Sequence, residues 1–312
     1  LLVANNSMRD HEVDLRLHHA GGVAVRDNSF ETGIAFGVED GDDYVHDMSE
    51  NAFHDGSALY YAAGDTTPSV PDDAKQVIVV DADGLGLSGL DVTTGEVPTG
   101  LLVATSNGSS VEDVSVTGPA RQGVRLVSRR GIVVATSPGT DLTNATARNV
   151  AGAESGDSDG IELTESAGAT IRDSSVQNVS GDGIAVGQSE GIRIESSAVD
   201  ETGRSGVLVV QSPGATVRTS SVQDATNSGV LLDGASNSTV EGNTVTSSPS
   251  ANYGLRLLDS DEATLLDNHF QGIAGEGIAT ANANNVTIIG TYADDNDVGI
   301  AIGTGDSDGE AN

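Results

Sequence analysis

The stretch Gly183–Val210, GIAVGQSEGIRIESSAVDETGRSGVLVV, starts over before it ends. Gly183-Ile184-Ala185-Val186 returns as Gly206-Val207-Leu208-Val209, 23 residues on. The same glycine and alternating apolar pair recur at Gly100, Gly123, Gly160, Gly183, Gly206, Gly229, Gly254, Gly277 and Gly299, with gaps of 23, 37, 23, 23, 23, 25, 23 and 22. A fixed period in this range is the mark of a solenoid. A second motif follows each glycine: Thr170-Ile171-Arg172, Thr216-Val217-Arg218 and Thr239-Val240-Glu241.

Within each motif the apolar period is two. Ile184 and Val186 point one way and Ala185 the other, as in a strand. Val, Ile and Thr suit strands, and amphipathic runs of helical length are missing. About 23 residues suffice for two or three short strands and their corners. The expected fold is therefore all-β, a single-stranded right-handed parallel β-helix of roughly thirteen coils with strands ~4.8 Å apart. One domain is expected over residues 1–312, with irregular coils at 1–99, regular coils at 100–303 and an acidic tail at 304–312. In the irregular part, strands are expected at Val13–Leu17, Val23–Phe30, Ile34–Phe36, Leu59–Tyr61, Val77–Val80 and Leu85–Val92, with a proline-bearing excursion at Asp65–Asp73. A second excursion, after Val127 and carrying Arg129 and Arg130, is expected to account for the 37-residue gap. The opening Leu1-Leu2-Val3 has no initiating Met, which is the expectation for a fragment or a processed form.

Lys+Arg number 14 against Asp+Glu 47, a formal net charge of -33, and Lys75 is the only lysine. Such a field repels phosphates and anionic lipid heads, so nucleic acid and membrane surfaces are not expected partners. Abundant carboxylate with scarce lysine points to a halophilic protein whose self-repulsion is screened by dense salt. Cysteine is absent, which excludes disulfides and thiolate metal sites. No apolar run approaches the ~18 residues of a membrane span.

The stretch Glu50–Val92, ENAFHDGSALYYAAGDTTPSVPDDAKQVIVVDADGLGLSGLDV, together with repeats of the type Asn237–Val245, NSTVEGNTV, resembles the right-handed β-helix repeat proteins of the NosD-like surface and periplasmic group, haloarchaeal type. The resemblance implies the fold and export to the cell surface. It also implies a reading as an accessory factor in copper-enzyme maturation. Met8 and Met48 without a thiolate make a poor set for a cuprous ion. His18 with His19, or His46 with His54, could take a divalent ion instead.

Other motifs mislead. Gly84-x-Gly86-x-x-Gly89 matches a dinucleotide fingerprint but continues as alternating strand, where that fingerprint needs a helix N-terminus. Ser158 and Ser307 lie in G-x-S-x-G, with no histidine nearby in sequence to serve as partner. Six Asn-x-Ser/Thr sites, at Asn5, Asn107, Asn144, Asn178, Asn237 and Asn285, are frequent by composition alone.

One constellation bears on chemistry. Asp159 and Asp182 precede the repeating glycine in successive coils and should stack, with Asp157 beside them. Glu162 faces outward, with Arg125 expected as its neighbour in the previous coil and Arg204 beside Asp182. Asp157, Asp159 and Asp182 are candidate ligands for Ca2+, and Glu162, Asp182 and Arg125 candidate catalytic groups for β-elimination on an acidic polysaccharide. The outward row Leu102, Arg125, Glu162, Ala185, Leu208, Leu231, Arg256, Ala279 and Ala301 is apolar over most of its length. Such a row is expected to be covered by another chain, a further segment or a flat glycan face. The leading expectation is an exported, extracellular or cell-surface module that binds glycan or protein and oligomerises through that sheet; the alternative is the calcium-assisted lyase or a related carbohydrate-active enzyme.

Overall fold

The computed structural model describes residues 1–18, 20–37, 44–119, 129–152, 158–246, 248 and 250–303. Every regular element among them is a strand, and the chain winds as a right-handed parallel β-helix. A thirteen-stranded sheet runs from Ser29–Phe30 through Ile184–Gly187 to Val298–Ile302. Two nine-stranded sheets complete the coils, from Gly86–Ser88 to Thr287–Ile289 and from Asp91–Thr93 to Tyr292–Asp294. Ile184 pairs with Val207 and Ala185 with Leu208, so the 23-residue spacing read from the sequence is one turn of the coil.

Alternation fills the interior. Ile184, Ile194 and Val199, one from each sheet, are buried in a single core with their counterparts in neighbouring coils. Between the second and third strands of each coil a single left-handed residue makes the corner: Asp173, Ser196, Thr219, then Gly242. Asp and Gly tolerate that conformation, which turns the chain in the fewest residues.

The corners also bury polar groups, each answered by the next coil. Ser106 N–H donates to Ser137 Oγ (3.0 Å), Ser137 to Ser166 (3.1 Å) and Ser166 to Ser189 (2.9 Å). At the other corner Ser220 N–H donates to Asn243 Oδ1 (2.9 Å), and Asn243 N–H to Asn268 Oδ1 (3.0 Å). Asn243 is buried and also donates to the Val217 carbonyl (2.8 Å). Asn243→Ala is expected to lower stability by about 2 kcal/mol, because Ser220 N–H loses its acceptor out of reach of water. The denaturant midpoint in multimolar salt measures this; an unchanged midpoint would mean that the ladder contributes nothing.

The register departs from the sequence reading at one coil. Leu101 pairs with Ile132, and Ile132 with Ile161, so Gly131-Ile132-Val133-Val134 is the repeat strand, within Arg130–Ala135. Gly123 lies outside the described residues, and Arg129 and Arg130 lead into the strand instead of forming an excursion wall. The reason is burial on both faces. Val133 and Ala135, on the outward side, are as buried as Ile132 and Val134 on the inward side. The alternative Gly123-Val124-Arg125-Leu126 would drive a guanidinium into that outward site.

What buries the outward side is the chain's own start. Leu2–Ala4, Ala24–Arg26 and Asp47–Ser49 form a three-stranded parallel sheet, and Leu15–Leu17 pairs with Ile34–Phe36. Leu17, Val25, Phe30, Ile34 and Phe53 share a second core with Ile78, Leu102 and Val133 from the outward face of the long sheet. Ala52 pairs antiparallel with Ala58, in contrast to the parallel pairings around it. Beyond this reversal, the face that was interior to the first coils becomes the exterior of the next. The Asp55 carboxylate at the reversal pairs with Lys75, which holds it well below the usual range. In the Asp65–Asp73 excursion, Val70 packs with Tyr60 against the inner core. No helix among the described residues is long and apolar enough to cross a membrane.

Candidate functional site

The column of residues preceding the glycines reads Thr99, Arg130, Asp159, Asp182, Ser205 and Ser228 along the thirteen-stranded sheet. Two carboxylates therefore stack between an arginine and a serine. Asp182 N–H donates to Asp159 Oδ1 (2.7 Å), and Ser205 N–H to Asp182 Oδ1 (2.8 Å). Each carboxylate thus uses one oxygen as a structural acceptor. Asp182 is 1 % exposed and its Oδ2 lies 3.4 Å from Arg204 Nη1. Asp159 is 8 % exposed and its Oδ2 has no hydrogen-bond partner among the described residues.

Burial pushes the Asp159 carboxyl up to about 7; the charges of Asp182 and Glu162 add to the rise, while the Asp182 N–H and Arg130 oppose it. Glu162 sits in the strand Ile161–Thr164 that follows Asp159 and is ion-paired to Arg130. Its sheet neighbours are Val133 and Ala185. Arg125 was expected at the place Val133 takes; it lies outside the described residues, and the guanidinium beside Glu162 belongs to Arg130. Asp157 also lies outside them. Asp159, Asp182, Glu162 and Arg204 come together as the spacing predicts.

These groups rim a cleft of about 190 Å³ on the outward face of the sheet. Its floor is Ala185 and Gly187, and its walls are Glu162 and Thr164 on one side and Leu208 and Val210 on the other. One coil carrying small side chains between two coils carrying larger ones leaves a trough across the strands. Gly187 has no conformational reason to be glycine, since its φ is not positive. Packing gives none either, because a Cβ there would meet only Thr164 Oγ1, at 4.0 Å. Sequence reasoning placed Ala185 in the outward row but missed Gly187; a glycine between Thr164 and Val210 at the same place in the repeat was the available signal.

Arg129, one residue before Arg130, turns inward. It is 2 % exposed, and its guanidinium donates to the carbonyls of Gly95 (2.7 Å), Ala151 (3.2 Å) and Val97 (3.4 Å). Desolvation lowers its pKa, with Glu96 opposing. It ties neighbouring coils together beneath the site rather than lining it. Ser158 Oγ accepts Arg129 N–H (3.1 Å), as a turn residue does.

Of the histidine pairs, His46 and His54 are engaged elsewhere, and His19 lies outside the described residues. His46 Nδ1 accepts Val23 N–H (3.3 Å), and His54 contacts Ser29 Oγ (2.6 Å) and the Met8 carbonyl (2.8 Å). Among the described residues no three His, Asp or Glu side chains are grouped to hold a metal ion.

The right-handed β-helix region family matches residues 159–311. No curated protein matches the chain in sequence. Among solved structures, the surface protein and adhesin PfbA of Streptococcus pneumoniae is similar in fold, with a TM-score of 0.57 at 10 % identity over 97 % of this chain and 91 % of that one. The mannuronan C-5 epimerase AlgE4 A-module of Azotobacter vinelandii gives 0.48 at 16 % identity over 95 % and 79 %. An alginate lyase from Paenibacillus gives 0.47 at 10 % identity over 93 % and 98 %. At such identities the likeness speaks for the fold alone.

Proposed function

We propose that this chain is an exported, cell-surface β-helix module of an acidic, halophilic protein, and that it binds a glycan in the trough floored by Ala185 and Gly187. The observation that carries the reading is the open glycine: neither backbone conformation nor packing requires it, and its absence of side chain is what keeps the trough empty. Apolar walls at Leu208 and Val210 with carboxylates and the Arg204 guanidinium at the rim give the mix of apolar surface and few polar groups that ligand sites present. The likeness in fold to a surface adhesin agrees with a binding role.

Gly187→Val tests it. Valine suits a strand, so the fold should gain a few tenths of a kcal/mol to about 1 kcal/mol. Glycan retention on immobilised polysaccharides in multimolar salt should fall at least tenfold as the trough fills. Unchanged retention by a folded Gly187→Val protein would move the binding surface elsewhere.

A second reading, lyase or epimerase chemistry on an acidic polysaccharide assisted by Ca2+, is favoured by one observation. Asp159, raised to about 7, is an acid that holds its proton near neutrality beside Asp182. Unsaturated uronate products that require Ca2+ and vanish in Glu162→Gln would establish this reading.

A further inference from the structure

We infer that the trough selects a carboxylate-free glycan, one that offers hydroxyl or amine donors, over a uronan. The inference rests on the glycan-binding reading above and names the ligand class for the same site.

The polar inventory of the rim is lopsided. Three carboxylates, Asp159, Asp182 and Glu162, share the rim with one guanidinium, Arg204, which is committed to Asp182, and the nearby Arg130 is committed to Glu162. A uronate carboxylate entering the trough would find no cation that is not already neutralised by a protein carboxylate. It would have to break one of these pairs, leaving a buried acid uncompensated, and that is the costly way to open an ion pair.

A donor meets the opposite situation. Asp159 Oδ2 is an acceptor without a partner on a side chain that is 8 % exposed, and it borders the trough. A sugar hydroxyl or ammonium placed there gives that oxygen a partner, and at pH 8, where Asp159 is ionised, a hydrogen bond to a charged acceptor is among the stronger ones. The whole chain, at -33, pushes the same way over longer distances. In multimolar salt the screening length shrinks to about 3 Å, so the long-range part fades while the contact at Asp159 persists. Selectivity should therefore survive high salt, in contrast to selectivity based on net charge alone.

Leu208 and Val210 complete the match. Their side chains give an apolar wall to the C–H face of a pyranose, while the chain has only nine aromatic residues in all and none borders this trough. A flat glycan ribbon lying across the strands would present C–H faces to the wall and hydroxyls to the rim.

The experiment compares retention of the full chain on three immobilised polymers of matched length: a neutral β-glucan, partially deacetylated chitin and polygalacturonate. It is run in multimolar KCl at pH 8, where Asp159 is ionised, with wild type, Gly187→Val and Asp159→Asn. The expected result is at least tenfold tighter retention of the β-glucan or the deacetylated chitin than of polygalacturonate, abolished in Gly187→Val. In Asp159→Asn the preference should shrink severalfold, because the amide replaces the unpaired acceptor with a donor that a uronate can use. Which of the two favoured polymers binds better distinguishes a hydroxyl from an amine at Asp159. Tighter retention of polygalacturonate, lost in Gly187→Val, would overturn the inference and leave the trough as the binding site. Failure of the wild type to retain any of the three would overturn the glycan-binding reading itself, and this inference with it.

Discussion

Gly183→Ala is expected to destabilise the β-helix by about 3 kcal/mol or more, whereas Gly187→Ala, in the same coil, is expected to be neutral or slightly stabilising. The contrast lies in what a methyl group would meet. At Gly183 a Cβ would lie 2.3 Å from Val199 Cγ1 and 2.5 Å from the Gly206 carbonyl oxygen. The valine belongs to the third sheet and the carbonyl to the next turn, so the glycine is the point where two sheets and two coils come closest. A rotamer change at Val199 relieves the first contact, but nothing short of spreading the coils relieves the second. The same pair of obstacles stands at Gly160, Gly206 and Gly229, against Val176, Val222 and Val245. Spreading one coil would also stretch the ladder hydrogen bonds on either side of it, so the expected loss sits at the upper end for overpacked cores. Denaturant midpoints of the two variants at matched salt decide the matter. If both fell equally, glycine would be recurring for backbone freedom and not for close approach.

That distinction shows how far the sequence could be read. The 23-residue recurrence of glycine gave the coil, and the alternation in Gly183-Ile184-Ala185-Val186 gave the buried side of its strand. The reason for the glycine was not legible there, because the crowding that forbids a Cβ comes from Val199 and Gly206, which sequence does not place at contact distance. Periodicity states what repeats; it does not state what fills the space beside it.

The same gap accounts for the misplaced coil. Gly123-Val124-Arg125-Leu126 and Gly131-Ile132-Val133-Val134 both fit the motif, and the first keeps the 23-residue spacing from Gly100. The choice between them is made on the outward face, where Val133 lies against Leu102 in a core that the first coils of the chain close over. Nothing in the spacing announces that the early coils turn their interior toward the exterior of the later ones. The apolar outward row did signal a cover, and for Leu102 the cover is this chain itself. At the site, the stacking of Asp159 on Asp182 and the approach of Arg204 followed from register. The partner of Glu162 did not, since Arg130 became visible there only once the coil was correctly placed.

Asp159→Asn is expected to raise stability at pH 8 by on the order of 4 kcal/mol and to leave it nearly unchanged near pH 4. In the unfolded chain the carboxyl titrates near 3.8, and in the folded protein it holds its proton up to about 7, chiefly because burial penalises the anion and secondarily because Asp182 and Glu162 repel it. The native state therefore binds more protons than the unfolded state between those values. The contribution of this group is most favourable below about pH 4, is lost progressively as pH rises toward 7, and stays lost above it. Asparagine keeps an oxygen to accept the Asp182 N–H, now at 2.7 Å from Asp159 Oδ1, while removing the charge. Denaturant midpoints of wild type and variant, measured at both pH values in the same multimolar salt, give the answer as a difference of differences. The subtraction cancels the titration of carboxylates remote from the site. A difference that stays flat from pH 4 to pH 8 would show that Asp159 ionises like an exposed carboxyl. The equivalent positions in the following coils carry Ser205 and Ser228, so the fold itself asks for no charge there. A gain of that size would mean that an uncharged residue serves the fold better at this position, as the proposed binding role of Asp159 expects.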